Sequence, residues 1–203
     1  MKDYPSIPAE IRNINIFAFP KYDGSNIRAE WSKKKGFYKF GSRTRLLGAD
    51  EKPLGEAISL LLNKYSKLEK VFSDKRYESV VCFFEFFGDN SQFGIHIDEP
   101  HDVVLFDIAP YKKGILEPKE FINLVEGVVD YSPVIYTGNA NQQLIDQVKS
   151  STLPGMAFEG IVCKSKNDKK TKQPIMFKIK SEAWYDKLRA HCKGNQKLFD
   201  YLA

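Results

Sequence analysis

The sequence predicts an α+β domain built on antiparallel β-sheets that are flanked by helices. Segments with the character of strands outnumber helical segments, and the helical segments are scattered along the chain. Two pairs of strands are separated by short lysine-rich loops, as in β-hairpins. The chain has 203 residues, of which 42% are hydrophobic and 13% aromatic, so it can bury the core of one domain.

The first half of the chain predicts mostly strands. Residues 14–19 form an apolar run, and residues 27–32 and 37–42 indicate two strands joined by a charged hairpin tip. Apolar residues then recur at spacings of three and four between residues 54 and 72, which predicts one amphipathic helix. Pro53 suits the first turn of that helix, because an amide at this position makes no hydrogen bond within the helix and proline has no amide hydrogen.

The second half predicts further strands with short helices between them. The expected strands span residues 80–87, 103–108, 134–136, 158–164 and 175–180, and the expected helices span residues 117–128 and 142–149. Residues 181–202 predict a terminal helix, which Gly194 weakens. We therefore expect a single domain over residues 1–203, with residues 181–203 as a terminal helical appendage.

Composition narrows the class of protein and its location. No run approaches 18 apolar residues and the N-terminus has no apolar signal region, so we expect no membrane association. Cys82, Cys163 and Cys192 form no C-x-x-C pair, which favours reduced, packed cysteines in a cytoplasmic protein. The three histidines have no zinc-site spacing. A formal net charge of +5 permits an anionic partner such as nucleic acid without requiring one.

Segment 21–24 carries the most informative motif of the chain. Its sequence is Lys-Tyr-Asp-Gly, and Lys21 stands two residues before Asp23, directly after an apolar run. Enzymes that carry a nucleotide covalently on lysine use such a lysine, whose amine must be neutral to attack phosphorus. Neighbouring cations or a metal ion favour the neutral amine. The motif is short and often arises by chance, so the remaining residues decide its meaning.

Several charged residues occupy strand positions where the pattern alone predicts apolar ones. They are Glu85, Asp107, Glu159, Lys178 and Lys180. Lys178 and Lys180 share one face of their strand because side chains alternate with a period of two. A buried charge is costly without a partner, so these residues must face solvent, pair with each other or line a cleft.

Two interpretations of this set remain open. An ordinary solvated sheet face, with pairs such as Glu159 and Lys178 across a hairpin, explains any one of the residues. The whole set beside Lys21 instead suits a nucleoside triphosphate with a divalent cation. Arg43 follows a strand, where it is either a surface arginine or a forked contact for phosphate oxygens or ribose.

In chain order, these segments resemble the motifs of the covalent nucleotidyltransferase superfamily, which contains polynucleotide ligases and mRNA capping enzymes. The matching segments are 21–24 (KYDG), 42–43 (SR), 84–88 (FEFFG), 106–108 (FDI), 159–164 (EGIVCK) and 177–180 (FKIK). Three features, Asn26, segment 42–45 (SRTR) and segment 106–108, are most similar to ATP-dependent RNA ligases of the nick-sealing type. The resemblance implies the adenylation-domain fold of that superfamily.

The resemblance also implies how the chain would hold ATP. Lys21 would form a phosphoramidate with AMP, with Asp23 and Gly24 of the same motif in the nucleotide site. Phe106 would stack on the adenine, and Glu85 would bind the ribose hydroxyls. These assignments fit the residue types, since an aromatic face suits a base and a carboxylate suits hydroxyl donors.

The remaining assignments concern phosphates and metal. Arg43 and Asn26 would hold the nucleotide and the adenylylated end, and Glu159 would serve a Mg²⁺ or Mn²⁺ ion. Lys178 and Lys180 would contact the phosphates, and their charge would favour the neutral amine of Lys21. The implied partner is RNA with nicked or broken ends, or an RNA–DNA hybrid, as in the repair of RNA.

Two departures from the superfamily pattern shape these expectations. Related ligases often carry an aromatic residue where this chain has Val103. Only a short stretch follows Lys180, with no clear C-terminal OB-fold or helical domain. We therefore expect a minimal or truncated adenylyltransferase domain, in which a partner protein or domain supplies part of the grip on the substrate.

Two alternatives to an RNA ligase remain at this point. One is a related enzyme, either an ATP-dependent DNA ligase or an mRNA capping guanylyltransferase. The other is a non-catalytic module that binds nucleotide or RNA, although the intact Lys21 and Glu159 argue against it. The lysine-rich loop 164–172 is either a solvated hairpin tip or a contact for the phosphate backbone.

Overall fold

The computed structural model describes residues 1–89 and 98–203. Within these residues, two four-stranded antiparallel sheets are flanked by six helices, which confirms the predicted fold class. The strands are β1 (Asn15–Pro20), β2 (Ser25–Ser32), β3 (Gly36–Gly41), β4 (Ser79–Phe87), β5 (Asp102–Pro110), β6 (Tyr136–Asn139), β7 (Gly160–Asn167) and β8 (Pro174–Lys180). The helices are α1 (Glu56–Tyr65), α2 (Leu68–Asp74), α3 (Pro118–Val125), α4 (Gln142–Lys149), α5 (Glu182–Cys192) and α6 (Gln196–Leu202).

The first sheet has the strand order β3-β2-β4-β5, and its outer face carries the larger core. Alternate residues of β4 divide between the two faces, so that Phe84 packs into the core under α1 and α2 while Glu85 lies on the opposite face. The rings of Trp31 and Phe72 meet in this core with centroids 5.4 Å apart. Burying aromatic rings of this size contributes strongly to stability.

The second sheet has the strand order β6-β1-β7-β8 and a smaller core. Leu144 and Val148 of α4 are buried among apolar residues of this sheet, including Ile161 and Phe177. The other face carries Lys178 and Lys180, as the alternation of side chains predicted. The two sheets therefore turn their apolar faces outward to helices and their polar faces toward each other.

The N-terminal residues join the two sheets without forming a strand or helix of their own. Tyr4 packs against Phe83 of the first sheet, with ring centroids 4.9 Å apart. Asp3 pairs with the buried Arg28 of β2. The backbone amide of Lys178 in the second sheet donates to the Pro8 carbonyl at 2.9 Å.

The helix predicted over residues 54–72 is two helices, α1 and α2. Residues 66 and 67 keep helical backbone angles but form a turn, so the apolar spacing of one helix persists through the break. Leu61, Leu68 and Phe72 are fully buried as that spacing predicted. Pro53 precedes α1 instead of lying in its first turn.

The terminal helix predicted over residues 181–202 is also two helices, α5 and α6. Lys193 and Gly194 adopt left-handed backbone angles, with φ of 46° and 83°, and this conformation ends α5. Gly194, which the sequence marked as a weak point, therefore lies at the break. The strand predicted over residues 134–136 lies further on, at Tyr136–Asn139.

Other predictions have simpler outcomes. The three cysteines are buried and free, as expected. One histidine, His96, falls outside the described residues. Among the residues that are described, no helix is both long enough and apolar enough to cross a membrane.

Candidate active site

The polar faces of the two sheets enclose a cleft of about 460 Å³, a volume typical of small-molecule sites. Its walls contain every residue for which the sequence predicted a role in the site. These are Lys21, Asp23, Gly24, Asn26, Arg43, Glu85, Phe106, Glu159, Lys178 and Lys180. They come from strands and loops far apart in the chain, so the fold brings together what the sequence showed only as separate motifs.

Segment 21–24 crosses from the second sheet to the first at the floor of the cleft, because β1 belongs to one sheet and β2 to the other. The backbone amide of Lys21 donates to the Gly160 carbonyl at 3.0 Å, which fixes the start of the crossing. At its end, a Cβ on Gly24 would lie 2.2 Å from the Phe86 carbonyl oxygen. Only glycine fits this approach of two backbones.

The side chain of Glu159 joins two lysines. Its Oε2 lies 2.6 Å from Lys21 Nζ, and its Oε1 lies 3.1 Å from Lys180 Nζ. Glu159 is 4% exposed, so little water screens these contacts. The next residue, Gly160, has a φ of +134°, and a Cβ there would lie 2.1 Å from the Ile179 carbonyl oxygen, so only glycine fits.

The pairing of Glu159 with Lys178 across the hairpin is not observed. Strand β7 begins at Gly160, directly after Glu159, and its register with β8 places Lys178 opposite Val162. Lys178 Nζ donates instead to the Ala203 carbonyl at 3.2 Å. The interpretation of an ordinary solvated sheet face is therefore wrong for Glu159, Lys178 and Lys180, which line the cleft.

Burial weakens the charged forms of Lys178 and Lys180. The pKa of Lys180 is lowered to about 8, mainly by burial; the Glu159 carboxylate opposes this shift and the positive charge of Lys178 adds to it. The pKa of Lys178 is lowered mainly by burial and then by the charge of Lys21. A polyanion bound in the cleft would raise both pKa values again, since its negative charge favours the charged form of each lysine.

Glu85 and Asn26 are direct partners in the antiparallel pairing of β2 with β4. Burial raises the pKa of Glu85 to about 8, opposed chiefly by the positive charge of Lys21. Among the described residues, the buried Asn26 Oδ1 has no hydrogen-bond partner. Buried polar atoms usually have partners, so this pair is suited to a ligand that offers hydrogen-bonding groups.

Phe106 lines the cleft next to a buried network of polar contacts. Lys164 Nζ donates to the Phe106 carbonyl and to Asp107 Oδ2, both at 2.8 Å. The Tyr4 hydroxyl donates to the same Asp107 oxygen at 2.5 Å. Burial raises the pKa of Asp107 and lowers that of Lys164, and their mutual attraction opposes both shifts. The sequence predicted that loop 164–172 is either solvated or in contact with RNA. Lys164, its first residue, is buried, so that prediction is wrong for this residue.

Sequence reasoning missed several parts of the cleft wall, among them residues 4–7, Trp184 and Leu202. Tyr4 lies against Phe106, and Trp184 lies against Lys180. Residues 4–7 carry no periodic pattern that would place them. Trp184 lies only four residues after Lys180, at the start of the expected terminal helix, which is the one signal that was available.

The residues of the cleft fit a divalent metal that arrives with a nucleotide. Within the described part of the chain, no group of three or more metal-binding side chains stands ready to hold an ion by itself. Mg²⁺ commonly uses one or two carboxylates together with substrate phosphates and water. Glu159 is a buried carboxylate next to two lysines suited to phosphates, so it fits that requirement.

The family follows from comparison with known proteins. The RNA ligase family model matches residues 15–180. The chain belongs to the RNA ligase family. The match extends from the start of β1 to the end of β8 and so includes both sheets and the cleft. No curated protein matches the sequence.

Solved structures of a Naegleria gruberi RNA ligase have a similar fold. A mutant with ATP and manganese gives a TM-score of 0.63 at 19% identity, over 85% of this chain and 51% of that one. An apo mutant gives 0.64 at 17% identity, over 91% and 59%. The enzyme with pyrophosphate gives 0.63 at 20% identity, over 85% and 51%. This member of the RNA ligase family therefore spans little more than half the length of these structures.

Proposed function

We propose that this chain is an ATP-dependent RNA ligase that joins an RNA 3′-hydroxyl to a 5′-phosphate. The reaction would pass through AMP bound covalently to Lys21 and then through an adenylylated RNA end. One observation carries the proposal: Lys21 Nζ contacts Glu159 inside a cleft that Phe106, Lys178 and Lys180 also line. A nucleophile, a phosphate-binding region and an aromatic face are thus arranged along one pocket.

The first step of this reaction transfers AMP to the enzyme. The Lys21 amine attacks the α-phosphorus of ATP, a nitrogen–phosphorus bond forms, and the bond to the β-phosphate oxygen breaks to release pyrophosphate. The amine needs its lone pair, so the ammonium must first release a proton to water. Glu159 Oε2 accepts a hydrogen bond from Lys21 at 2.6 Å and therefore orients the amine. A Mg²⁺ or Mn²⁺ ion held by Glu159 would neutralise phosphate charge.

Two further transfers complete the joining of RNA. An oxygen of the RNA 5′-phosphate attacks the phosphorus of the lysyl-AMP, and the lysine amine leaves. The 3′-hydroxyl of the neighbouring strand then attacks the 5′-phosphate, and AMP leaves. Arg43 lies in the cleft wall and is suited to forked contacts with phosphate oxygens at these stages.

The positions of the remaining residues support an orientation for ATP. Phe106, beside Tyr4, offers its ring to the adenine. Glu85 and Asn26, which pair across β2 and β4 and line the cleft, are suited to the ribose hydroxyls. With its pKa raised to about 8, Glu85 is protonated at neutral pH and can donate a hydrogen bond as well as accept one. Lys178 and Lys180 then meet the phosphates.

The function can be tested with a nicked RNA duplex that carries a labelled 5′-phosphate. We expect a joined strand with ATP and a divalent cation, and an adenylylated strand as a transient intermediate. A strand adenylylated in advance should be joined without ATP, which bypasses the first two steps. If neither duplex is joined, the chain is not a ligase by itself. If GTP serves as well as ATP, capping chemistry is the better explanation.

A further inference from the structure

Trp184 of α5 forms an aromatic floor beneath one of the cleft lysines. Its ring centroid lies 3.5 Å from Lys180 Nζ, and the residue is only 2% exposed. Among the described residues this is the shortest contact between a cation and an aromatic ring. The contacts of Lys35 with Tyr38 and of Lys187 with Phe158 are longer, at 4.8 and 5.8 Å. A cation so close to a buried indole face is held more strongly than one at the surface.

The backbone around Ser181 fixes this indole relative to Glu159. The Ser181 amide donates to the Glu159 carbonyl at 3.0 Å, and its hydroxyl donates to the Phe158 carbonyl at 2.7 Å. The same hydroxyl oxygen accepts a hydrogen bond from the Trp184 amide at 3.1 Å and so caps the start of α5. The turn that carries Glu159 and the helix that carries Trp184 are therefore joined into one hydrogen-bonded unit.

Lys180 is held between the two members of this unit. Its ammonium lies 3.1 Å from Glu159 Oε1 on one side and 3.5 Å from the indole centroid on the other. A lysine side chain has several rotatable bonds, so two fixed contacts are needed to hold its ammonium at one point. The carboxylate is shared with Lys21, so the indole face is the second contact that holds Lys180.

We propose that Trp184 is a positioning residue that holds the Lys180 ammonium at the phosphate end of the cleft through its aromatic face. The inference rests on the proposed function, since it concerns the same nucleotide site. When Glu159 binds a metal ion or the substrate instead of Lys180, the indole keeps the Lys180 ammonium in place for the phosphates of ATP. The first turn of α5 is then part of the nucleotide site, whereas the sequence predicted only a terminal appendage.

The test separates the aromatic face of Trp184 from its bulk. Tryptophan analogues with one, two and three ring fluorines weaken the negative potential of the ring face and change its shape little. We would measure equilibrium binding of α,β-methylene-ATP, which cannot donate AMP, and of adenosine, which has no phosphates. We expect affinity for the triphosphate to fall stepwise, by about 3- to 30-fold in total, while affinity for adenosine stays constant.

Two controls test whether the effect comes from the Trp184 ring and not from Trp31 or from the packing of α5. In a Trp184→Phe variant the analogues enter only at Trp31, which lies in the core of the first sheet, so fluorination there should leave both affinities unchanged. Leu188→Val disturbs the packing of α5 at a buried site outside the cleft, and we expect it to lower stability without selective loss of triphosphate binding.

The three possible failures can be distinguished. If the unmodified chain binds adenosine and α,β-methylene-ATP but fluorination does not weaken triphosphate binding, the role of Trp184 is wrong and the proposed function stands. If the unmodified chain binds neither ligand, the proposed function itself is contradicted. An equal loss of adenosine and triphosphate binding would show that Trp184 only supports the packing of the cleft, which also overturns the inference.

Discussion

Lys164 and Asp107 form an ion pair at 2.8 Å directly behind Phe106, with both side chains buried. Lys164 also donates to the Phe106 carbonyl, so the pair ties the backbone of β5 to β7 across the two sheets. Glu159 pairs two lysines on the other side of the cleft. The two walls of the cleft are thus each supported by a buried carboxylate and an ammonium.

Breaking the Lys164–Asp107 pair should destabilise the fold. Lys164→Met leaves the Asp107 carboxylate buried without its ammonium, and we expect a loss of about 3–5 kcal/mol in the free energy of unfolding. Replacing both residues, as Lys164→Met with Asp107→Leu, should recover much of that loss. Denaturant titration measures all three proteins. If the single variant is as stable as the unmodified chain, the pair does not support the wall.

Phe106 should matter for the use of ATP through its aromatic face. We expect Phe106→Ala to weaken ATP binding by about 1–3 kcal/mol, the range found where bases stack on aromatic side chains. Phe106→Tyr retains the ring and should lose much less. Titration of self-adenylylation against ATP concentration checks both variants. Equal activity of Phe106→Ala at all concentrations would remove this residue from the adenine site.

The raised pKa of Glu85 predicts how stability changes with pH. The folded protein holds a proton on Glu85 up to about pH 8, whereas the unfolded chain loses it near the ordinary carboxyl value of 4.5. The contribution of Glu85 is therefore fully present below that value and is lost as pH rises toward 8. We expect the free energy of unfolding to fall between pH 5 and 7.

Glu85→Gln is the matched variant for this measurement, because glutamine cannot titrate. Lys180 remains charged in both states over pH 5 to 7, since its folded pKa is about 8, so it does not contribute to the slope there. Subtracting the profile of the variant isolates Glu85. Identical slopes for the two proteins between pH 5 and 7 would mean that Glu85 is not held protonated by its surroundings.

Binding of RNA should depend strongly on salt, because positively charged side chains hold the strand by contacts with several successive phosphates. The lysines that follow Lys164 in segment 164–172 are exposed, as expected. Two of them, Lys169 and Lys170, lie in the β7–β8 loop, and both can be replaced by glutamate in one variant. We expect this variant to seal nicks poorly at physiological salt and to adenylylate itself normally.

A matched pair of substitutions checks that prediction. Lys70→Glu with Lys75→Glu changes the net charge equally at exposed positions at α2 and its end, on the sheet face away from the cleft. It should affect nick sealing much less. If both pairs of substitutions weaken sealing equally, or if raising salt has little effect on the unmodified chain, the RNA does not follow the β7–β8 loop.

Much of the site was predictable because its signals are local. The period of two in β8 placed Lys178 and Lys180 on one face, and the motif order identified Lys21, Glu85 and Glu159 as members of one set. The first inference needs only the geometry of a strand, whereas the second rests on the resemblance of the motifs to those of the nucleotidyltransferase superfamily.

The remaining features depend on contacts between distant segments. The sequence marked Asp107 and Lys164 as unusual but gave no register that would pair them, since their strands lie in different sheets. Tyr4 reaches the cleft from a segment without periodicity, and only the fold brings its hydroxyl to Asp107. The turn between α1 and α2 was hidden because the apolar spacing continues through it.

The most direct test of the account is the mass of the protein after incubation with ATP and a divalent cation. We predict one added AMP, located on Lys21 by fragmentation and absent in Lys21→Ala. Lys35→Ala, which removes an exposed lysine on the β2–β3 turn, should still acquire the AMP. An AMP on any other residue, its persistence in Lys21→Ala, or its complete absence from the unmodified chain would contradict the central claim.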